Sequence, residues 1–316
     1  MKKWQYPTPK FRSRTLRALV TLFCIGVFLY SALQDRQARE HISGAFADAN
    51  RYFAVHFVDV GQGDAALVRA PGGECMLIDC GPTDEGTYLV KYLEQVGIEK
   101  LDYLVLTHPH EDHYGGAERI LEAFPVENLV IHEELADTYP YDRLSYMVTH
   151  SAFDTSAKVV TVRRDDRLEL TENAIFQFFA PDEIDLDDLN ECSLALKLVY
   201  GKTSFLFTGD AEKGSERAML SAGYNLHADV FSAGHHGSST SNTPEFVQAV
   251  SPRFAVVSCG RDNSYGHPHK KTLETFEACG VEVHRTDEEG DVVFLSDGET
   301  VCYFDITPTG SEALAA

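Results

Sequence analysis

The sequence predicts an α+β fold: two packed β-sheets with helices on their outer faces, preceded by one N-terminal transmembrane helix. Three observations carry this. Short apolar runs rich in β-branched and aromatic residues recur through both halves of 52–306 with few helical stretches between them, and the clean strand–helix alternation of a doubly wound parallel sheet is absent. A run of sixteen uncharged residues, Ala18 to Leu33, sits behind a basic N-terminus. Several strand-like runs end in loops crowded with histidine and aspartate.

Residues 1–17 carry Lys2, Lys3, Lys10, Arg12, Arg14 and Arg17 and no acid. A basic flank ahead of an apolar run keeps the N-terminus cytoplasmic, so 18–34 reads as a signal-anchor with the folded domain outside the membrane. Cleavage near Ala45-Phe46-Ala47 competes, which would give a secreted form, but that site lies far beyond the apolar run. Residues 35–51 read as a polar stalk. Then come strands at Phe53–Val60, Ala65–Arg69 and Cys75–Asp79, the last two joined by the turn Pro71-Gly72-Gly73. Thr87–Val96 has the spacing of an amphipathic helix that stops at Gly97. Leu101–Leu106 is a buried strand, Gly116–Phe124 a helix and Leu129–His132 a strand. Residues 133–158 form an irregular excursion. Strands follow at Val159–Val162, Ala174–Ala180, Ser193–Tyr200, Thr203–Thr208, Val230–Ser232, Phe254–Ser258, Val281–His284, Val292–Ser296 and Val301–Ile306. Helices are expected at Ser215–Ala222 and Thr272–Cys279, and 307–316 as a disordered tail.

The formal net charge is −22, and the basic first 17 residues leave −28 on the remainder. Such a surface repels phosphate backbones at long range, so stable binding to duplex nucleic acid is not expected. Seven cysteines occur without a CxxC pair, which removes zinc knuckles and thioredoxin-like motifs and leaves buried free thiols as the default.

The loop after Leu101–Leu106 is the richest in chemistry. Thr107-His108-Pro109-His110-Glu111-Asp112-His113 holds three of the chain's 13 histidines. Imidazole and carboxylate at that density suit a borderline divalent ion. His108 and His110, two apart in an extended segment, point the same way. Asp112 and His113 follow a turn and can face a neighbouring position, so one loop could serve two cations. Thr208-Gly209-Asp210 presents a carboxylate at a strand end, with glycine allowing close backbone approach. Gly234-His235-His236-Gly237-Ser238 offers two imidazoles that diverge, one towards metal and one towards substrate. His267, between Gly266 and Pro268, sits in a rigid frame, while His269 beside Lys270 reads as solvated. Asn190, ahead of a strand, is either a weak ligand or a group that orients substrate.

His108-Pro109-His110-Glu111-Asp112-His113, with Gly115-Gly116 behind it, resembles the signature of the metallo-β-lactamase superfamily. Asp59-Val60-Gly61-Gln62-Gly63-Asp64-Ala65, Thr208-Gly209-Asp210, Gly234-His235-His236-Gly237-Ser238 and Tyr265-Gly266-His267-Pro268 look like the metallo-β-lactamase-like domain of ComEC-type competence proteins. The resemblance covers about 52–306. It implies an αββα sandwich and a hydrolase with two divalent ions, zinc or manganese. It gives His108 and His110 to the first metal and Asp112, His113 and His236 to the second, with Asp210 bridging and His235 at the scissile group. Asn190 stands where the superfamily usually has a histidine.

The expected activity is a membrane-anchored phosphodiesterase or nuclease, with single-stranded DNA as a candidate substrate. Metal-activated hydroxide attacks, and His235, His267 and Asp112 form the catalytic set. Ser238 and Asp64 are candidate substrate or ligand contacts. A small-molecule ester, lactone or lactam hydrolase is the alternative, and a non-catalytic module at the membrane surface is the third reading. The oligomeric state is left open.

Overall fold

The computed structural model describes residues 51–305 apart from 139–140, 142–143, 145–156 and 182–183. The expected basic tail, membrane segment, C-terminal tail and all but the end of the stalk lie outside the described residues. Among those described, no helix is long and apolar enough to cross a membrane.

Two mixed sheets form the body. The first has eight strands in the order β15 (Val301–Phe304), β14 (Val292–Ser296), β1 (Phe53–Phe57), β2 (Ala66–Arg69), β3 (Cys75–Ile78), β4 (Leu101–Val105), β5 (Val126–His132) and β6 (Lys158–Val162). The second has seven: β13 (Glu282–Arg285), β12 (Phe254–Val257), β11 (Val230–Ser232), β10 (Thr203–Phe207), β9 (Ala195–Tyr200), β8 (Ala174–Ala180) and β7 (Arg167–Thr171).

The period of two along each strand sorts side chains into layers. Phe53, Val55 and Phe57 of β1 join Met76, Ile78, Phe205, Phe207 and Phe294 between the sheets. Ala54, Leu77 and Leu104 point the other way and pack with Leu89 and Leu93 of helix Gly86–Gln95 and Ile120 of helix Ala117–Ala123. On the far side, Leu206, Phe231 and Ala255 meet Met219, Phe246 and Phe276 from helices Lys213–Ser221, Pro244–Val250 and Lys270–Ala278. Each fully buried phenylalanine contributes roughly 1.5–3 kcal/mol, and these three layers hold the αββα sandwich together.

Strand–helix alternation, not expected from the sequence, is present in half of each sheet. β3 to β6 run parallel, and so do β10 to β13. Helix Pro244–Val250, between β11 and β12, was missed. Its start was nevertheless written in the chain, because Thr243 accepts from Phe246 N and Pro244 occupies the first turn. Strand β7 was also missed: it is an edge strand whose Arg167 and Glu169 are exposed, so its apolar signal is thin. The parallel blocks matter for function, because side chains just beyond the carboxyl ends of β4, β10, β11 and β12 gather on one rim.

Candidate metal centre

Strand β4 delivers Thr107, whose N–H and hydroxyl donate to the Asp79 carboxylate at 2.8 and 2.7 Å. His108 is fully buried. His110 keeps extended backbone, and its ring centroid lies 4.7 Å from that of His108, with Nδ1 3.0 Å from His108 Nε2. The chain then makes a short helix, Glu111–Tyr114, which turns Asp112 and the buried His113 to the same side. His113 Nδ1 lies 2.9 Å from Asp79 Oδ2, and its Nε2 lies 3.1 Å from Asp210 Oδ1.

Asp210 sits at the centre. Gly209 before it has φ 49°, and a Cβ there would lie 2.9 Å from Thr107 Oγ1. Glycine is therefore needed both for the left-handed backbone and for the close approach of the two sheets. Asp210 Oδ2 lies 3.8 Å from His108 Nε2 and 3.5 Å from His235 Nε2, while Oδ1 is 3.6 Å from His236 Nε2.

His235 and His236 both adopt left-handed backbone, with φ 51° and 52°. Such conformations cost about 1–3 kcal/mol each and persist only when the surroundings impose them. Here Asn242 imposes them. Its Oδ1 accepts from Gly234 N, and its Nδ2 donates to the carbonyls of Gly234 and Ser238. The buried Glu216 carboxylate accepts from the N–H groups of Asn242 and Thr243 and from the Thr243 hydroxyl, locking that clamp to helix Lys213–Ser221. The result is two divergent imidazoles. His236 is buried, with Nε2 3.3 Å from Asp112 Oδ2 and Nδ1 3.0 Å from the Ser258 carbonyl. His235 faces a cavity of about 310 Å³ that His110, Asp112, Asn190 and His267 also line.

Among the described residues three compact donor groups result: His108 with His113 and Asp210, Asp112 with His113 and His236, and Asp64 with Asp79 and His113. The pairs expected from sequence lie side by side, His110 Nδ1 3.0 Å from His108 Nε2 and Asp112 grouped with His113, and His113 is common to all three groups. His113 Nε2, His236 Nε2 and Asp210 Oδ1 are buried and lack a hydrogen-bond partner among the described residues. Orphaned buried lone pairs facing one another are costly unless a cation takes them, so the donor set fits divalent metal.

Without metal, these groups are coupled to one another electrostatically. Burial pushes the Asp210 carboxyl up, yet the His113 and His236 imidazoles outweigh it and hold Asp210 well below the usual carboxylate range. Burial works to lower His113 and His236, but the surrounding carboxylates, Asp210 foremost, hold both above the ordinary histidine value. His108 goes the other way, lowered by burial and by His113. His267 is pushed down to about 4 by burial and by the neighbouring imidazoles of His236 and His235.

Nine of the eleven sequence candidates therefore meet at one rim: His108, His110, Asp112, His113, Asn190, Asp210, His235, His236 and His267. Ser238 does not line the cavity: its hydroxyl pairs with Thr240 Oγ1 at 3.0 Å. Asp64 does not line the cavity; its Oδ1 lies 3.3 Å from His236 Nδ1, and it groups with Asp79 and His113 as a possible donor. His269 is half-buried, and its Nδ1 accepts from Ser239 N at 2.8 Å. The sequence reading missed Asp79, which orients His113. The signal was there, since Ile78-Asp79-Cys80-Gly81 ends a strand in an acid as Thr208-Gly209-Asp210 does. It also missed Glu212, half-buried and 3.3 Å from His235 Nδ1.

The comparisons with known proteins fit this geometry. The family described as the metallo-beta-lactamase superfamily matches residues 58–261. ComE operon protein 3 of Bacillus subtilis (strain 168) is 34% identical over 257 residues, covering 76% of this chain and 32% of that protein. Competence protein ComA of Neisseria gonorrhoeae is 33% identical over 243 residues, covering 76% of this chain and 32% of that protein. The chain thus spans about a third of the length of these curated relatives. Among solved structures, the metallo-beta-lactamase fold protein YhfI from Bacillus subtilis superposes with a TM-score of 0.54 at 15% identity, covering 77% of this chain and 100% of that one, a likeness of fold alone.

Proposed function

Because the chain belongs to the metallo-beta-lactamase superfamily, and within it carries a domain of the competence-protein type, we propose that it is a metal-dependent phosphodiesterase acting on single-stranded DNA or a similar phosphodiester. The observation that carries this is the convergence of buried, unpartnered imidazole and carboxylate atoms on Asp210 at the floor of an open cavity. His108, His113, Asp210, Asp112 and His236 would hold two divalent cations, zinc or manganese, with His110 beside them. When bound, such ions polarise phosphoryl oxygens and ionise water near neutral pH.

The protein's own groups supply the rest. Asp79 accepts the Nδ1 proton of His113, and the Ser258 carbonyl accepts that of His236, so both rings turn Nε2 towards the centre as lone-pair donors. His235 Nε2 stands at the cavity wall, placed to move a proton at the reacting group. His267, pushed down to about 4, is neutral at pH 7 and serves as a hydrogen-bond partner rather than as an acid. The uncharged segment Ala18–Leu33 and the competence-protein relatives support a membrane-anchored enzyme with its hydrolase domain outside.

A second reading, a small-molecule ester or lactone hydrolase, is favoured by one observation: among the described residues neither lysine nor arginine lines the cavity. The test is turnover by the full chain, with manganese or zinc, of single-stranded DNA, an aryl phosphodiester and an aryl lactone. Phosphodiester cleavage that weakens as salt rises supports the proposal. Lactone turnover without phosphodiester cleavage gives the second reading, and inactivity on every substrate sinks both.

A further inference from the structure

We propose that Tyr265 is a nucleobase platform: its ring takes one base of a single strand while the neighbouring phosphate lies over the buried donors. The proposal rests on the phosphodiesterase reading and names what such an enzyme would hold besides phosphate.

Tyr265 is 65% exposed, more than any other large hydrophobic residue among those described. A single exposed aromatic ring on a surface is ordinary. This one, however, lines the cavity together with Gln62, Asp210, His235 and His267. Its ring stacks on that of His267, with centroids 5.6 Å apart and planes at 22°. His267 in turn meets the ring of His235 edge to face at 5.5 Å. One face of Tyr265 is thus backed by imidazole, and the rest of the ring opens at the cavity mouth. Two ring contacts separate it from His235, within reach of a base on the sugar next to a phosphate at the donors.

The ring is also held in place. Asn263 Oδ1 accepts from the N–H groups of Tyr265 and His267, at 3.2 and 3.0 Å, and its Nδ2 donates to the carbonyls of Gly260 and His267. Gln62 Oε1 accepts from Gly260 N at 3.2 Å, which ties this loop to the loop after β1. A platform fixed in advance loses little conformational freedom when a ligand lands on it.

Charge explains why a ring is needed. The chain carries −22, and among the described residues neither lysine nor arginine lines the cavity. A strand therefore meets no cationic groove there, and contacts other than ion pairs must hold it. Stacking is such a contact, and it tolerates any sequence because every base has a π-face. It requires that face to be free, so bases inside a duplex stack cannot use Tyr265.

The test compares the full chain, with manganese, on single-stranded decathymidylate and on a decamer whose sugars carry no base. Tyr265→Ala is expected to raise KM for decathymidylate about tenfold and to leave kcat within about twofold, the pattern of lost uniform binding. For the baseless strand the wild-type KM is already about tenfold higher and Tyr265→Ala leaves it unchanged, because ring and base form one interaction. Tyr265→Trp restores a π-face and keeps the wild-type KM within about threefold. Binding of a fluorescein-labelled methylphosphonate decathymidylate, which is uncharged and not hydrolysed, is followed by anisotropy in excess chelator, and its Kd rises about tenfold in Tyr265→Ala. A KM and Kd in Tyr265→Ala within threefold of wild type, an equal loss on strands with and without bases, or no binding of the methylphosphonate strand by the wild type overturns the platform. If the wild type cleaves no strand, the phosphodiesterase reading fails, and the binding comparison, which needs neither metal nor hydrolysis, still decides for or against Tyr265.

Discussion

Asp79→Asn tests most sharply how the centre is organised. Asp79 is buried at 1% exposure and accepts three hydrogen bonds, from Thr107 N, Thr107 Oγ1 and His113 Nδ1. An asparagine fits the same volume. Its oxygen can keep Thr107 N, but its NH2 group must then face His113 Nδ1. Two N–H groups cannot bond to each other, so the ring is driven to the Nε2–H tautomer. That proton occupies the atom that faces Asp210, and His113 belongs to all three compact donor groups. The variant therefore disables a donor atom shared by the compact groups without removing the residue. Outer-shell changes of this kind cost about 10–100-fold in metal affinity, or about 1.4–2.8 kcal/mol. Without metal, the variant forfeits a hydrogen bond to a charged group, about 1.5–3 kcal/mol of stability. Manganese titration of the chelator-treated chain measures the first quantity, and urea unfolding in excess chelator the second. Affinity within threefold of wild type would refute the claim that Asp79 sets the His113 tautomer.

Asp210→Ala removes the acid at the centre of the donors and should abolish metal uptake and hydrolysis together, whereas His235→Ala should keep its metal by elemental analysis and lose rate by about 100-fold or more. Glu216 is an acid whose pKa burial raises from 4.5 to about 7 in the folded protein, so folding takes up a proton between those values. Stability contributed at low pH is thus lost as pH rises from about 4.5 to about 7, by up to about 3 kcal/mol, and Glu216→Gln should flatten that part of the urea-unfolding profile. A slope identical to wild type would contradict the assignment. A Cβ on Gly63 would overlap the Asp112 carbonyl oxygen, which also accepts from Asp64 N. Gly63→Ala should lower stability by about 1–3 kcal/mol and weaken metal binding, read by thermal unfolding with and without manganese.

Much of the fold was legible because strand signals are local. Runs such as Phe53–Phe57, Cys75–Ile78 and Thr203–Phe207 are buried along their whole length and stand out as apolar stretches. The parallel halves were not legible, because helix Pro244–Val250 is a single short stretch hidden between two histidine loops. At the site, loop composition was enough to nominate most of the residues that gather at the rim. It could not reveal Asp79, since an acid at the end of a strand looks like any turn until Thr107 and His113 are seen to converge on it. Nor could it reveal that Ser238 turns away, because that depends on the Thr240 hydroxyl and the left-handed backbone of His235 and His236.

Residue type and spacing alone were sufficient to nominate a metal-binding hydrolase domain of two sheets, because ligand chemistry is carried by side-chain identity and strand character by short apolar runs. Which atoms meet was decided only in three dimensions. His113 and Asp210 are 97 positions apart in the chain, and their 3.1 Å approach depends on two sheets packing through a phenylalanine-rich core. Which imidazoles and carboxylates face one another, and which backbone or side-chain groups hold each ring, follow from that packing. No local pattern encodes them, because hydrogen-bond partners such as Asp79 and Ser258 arrive from distant strands and loops.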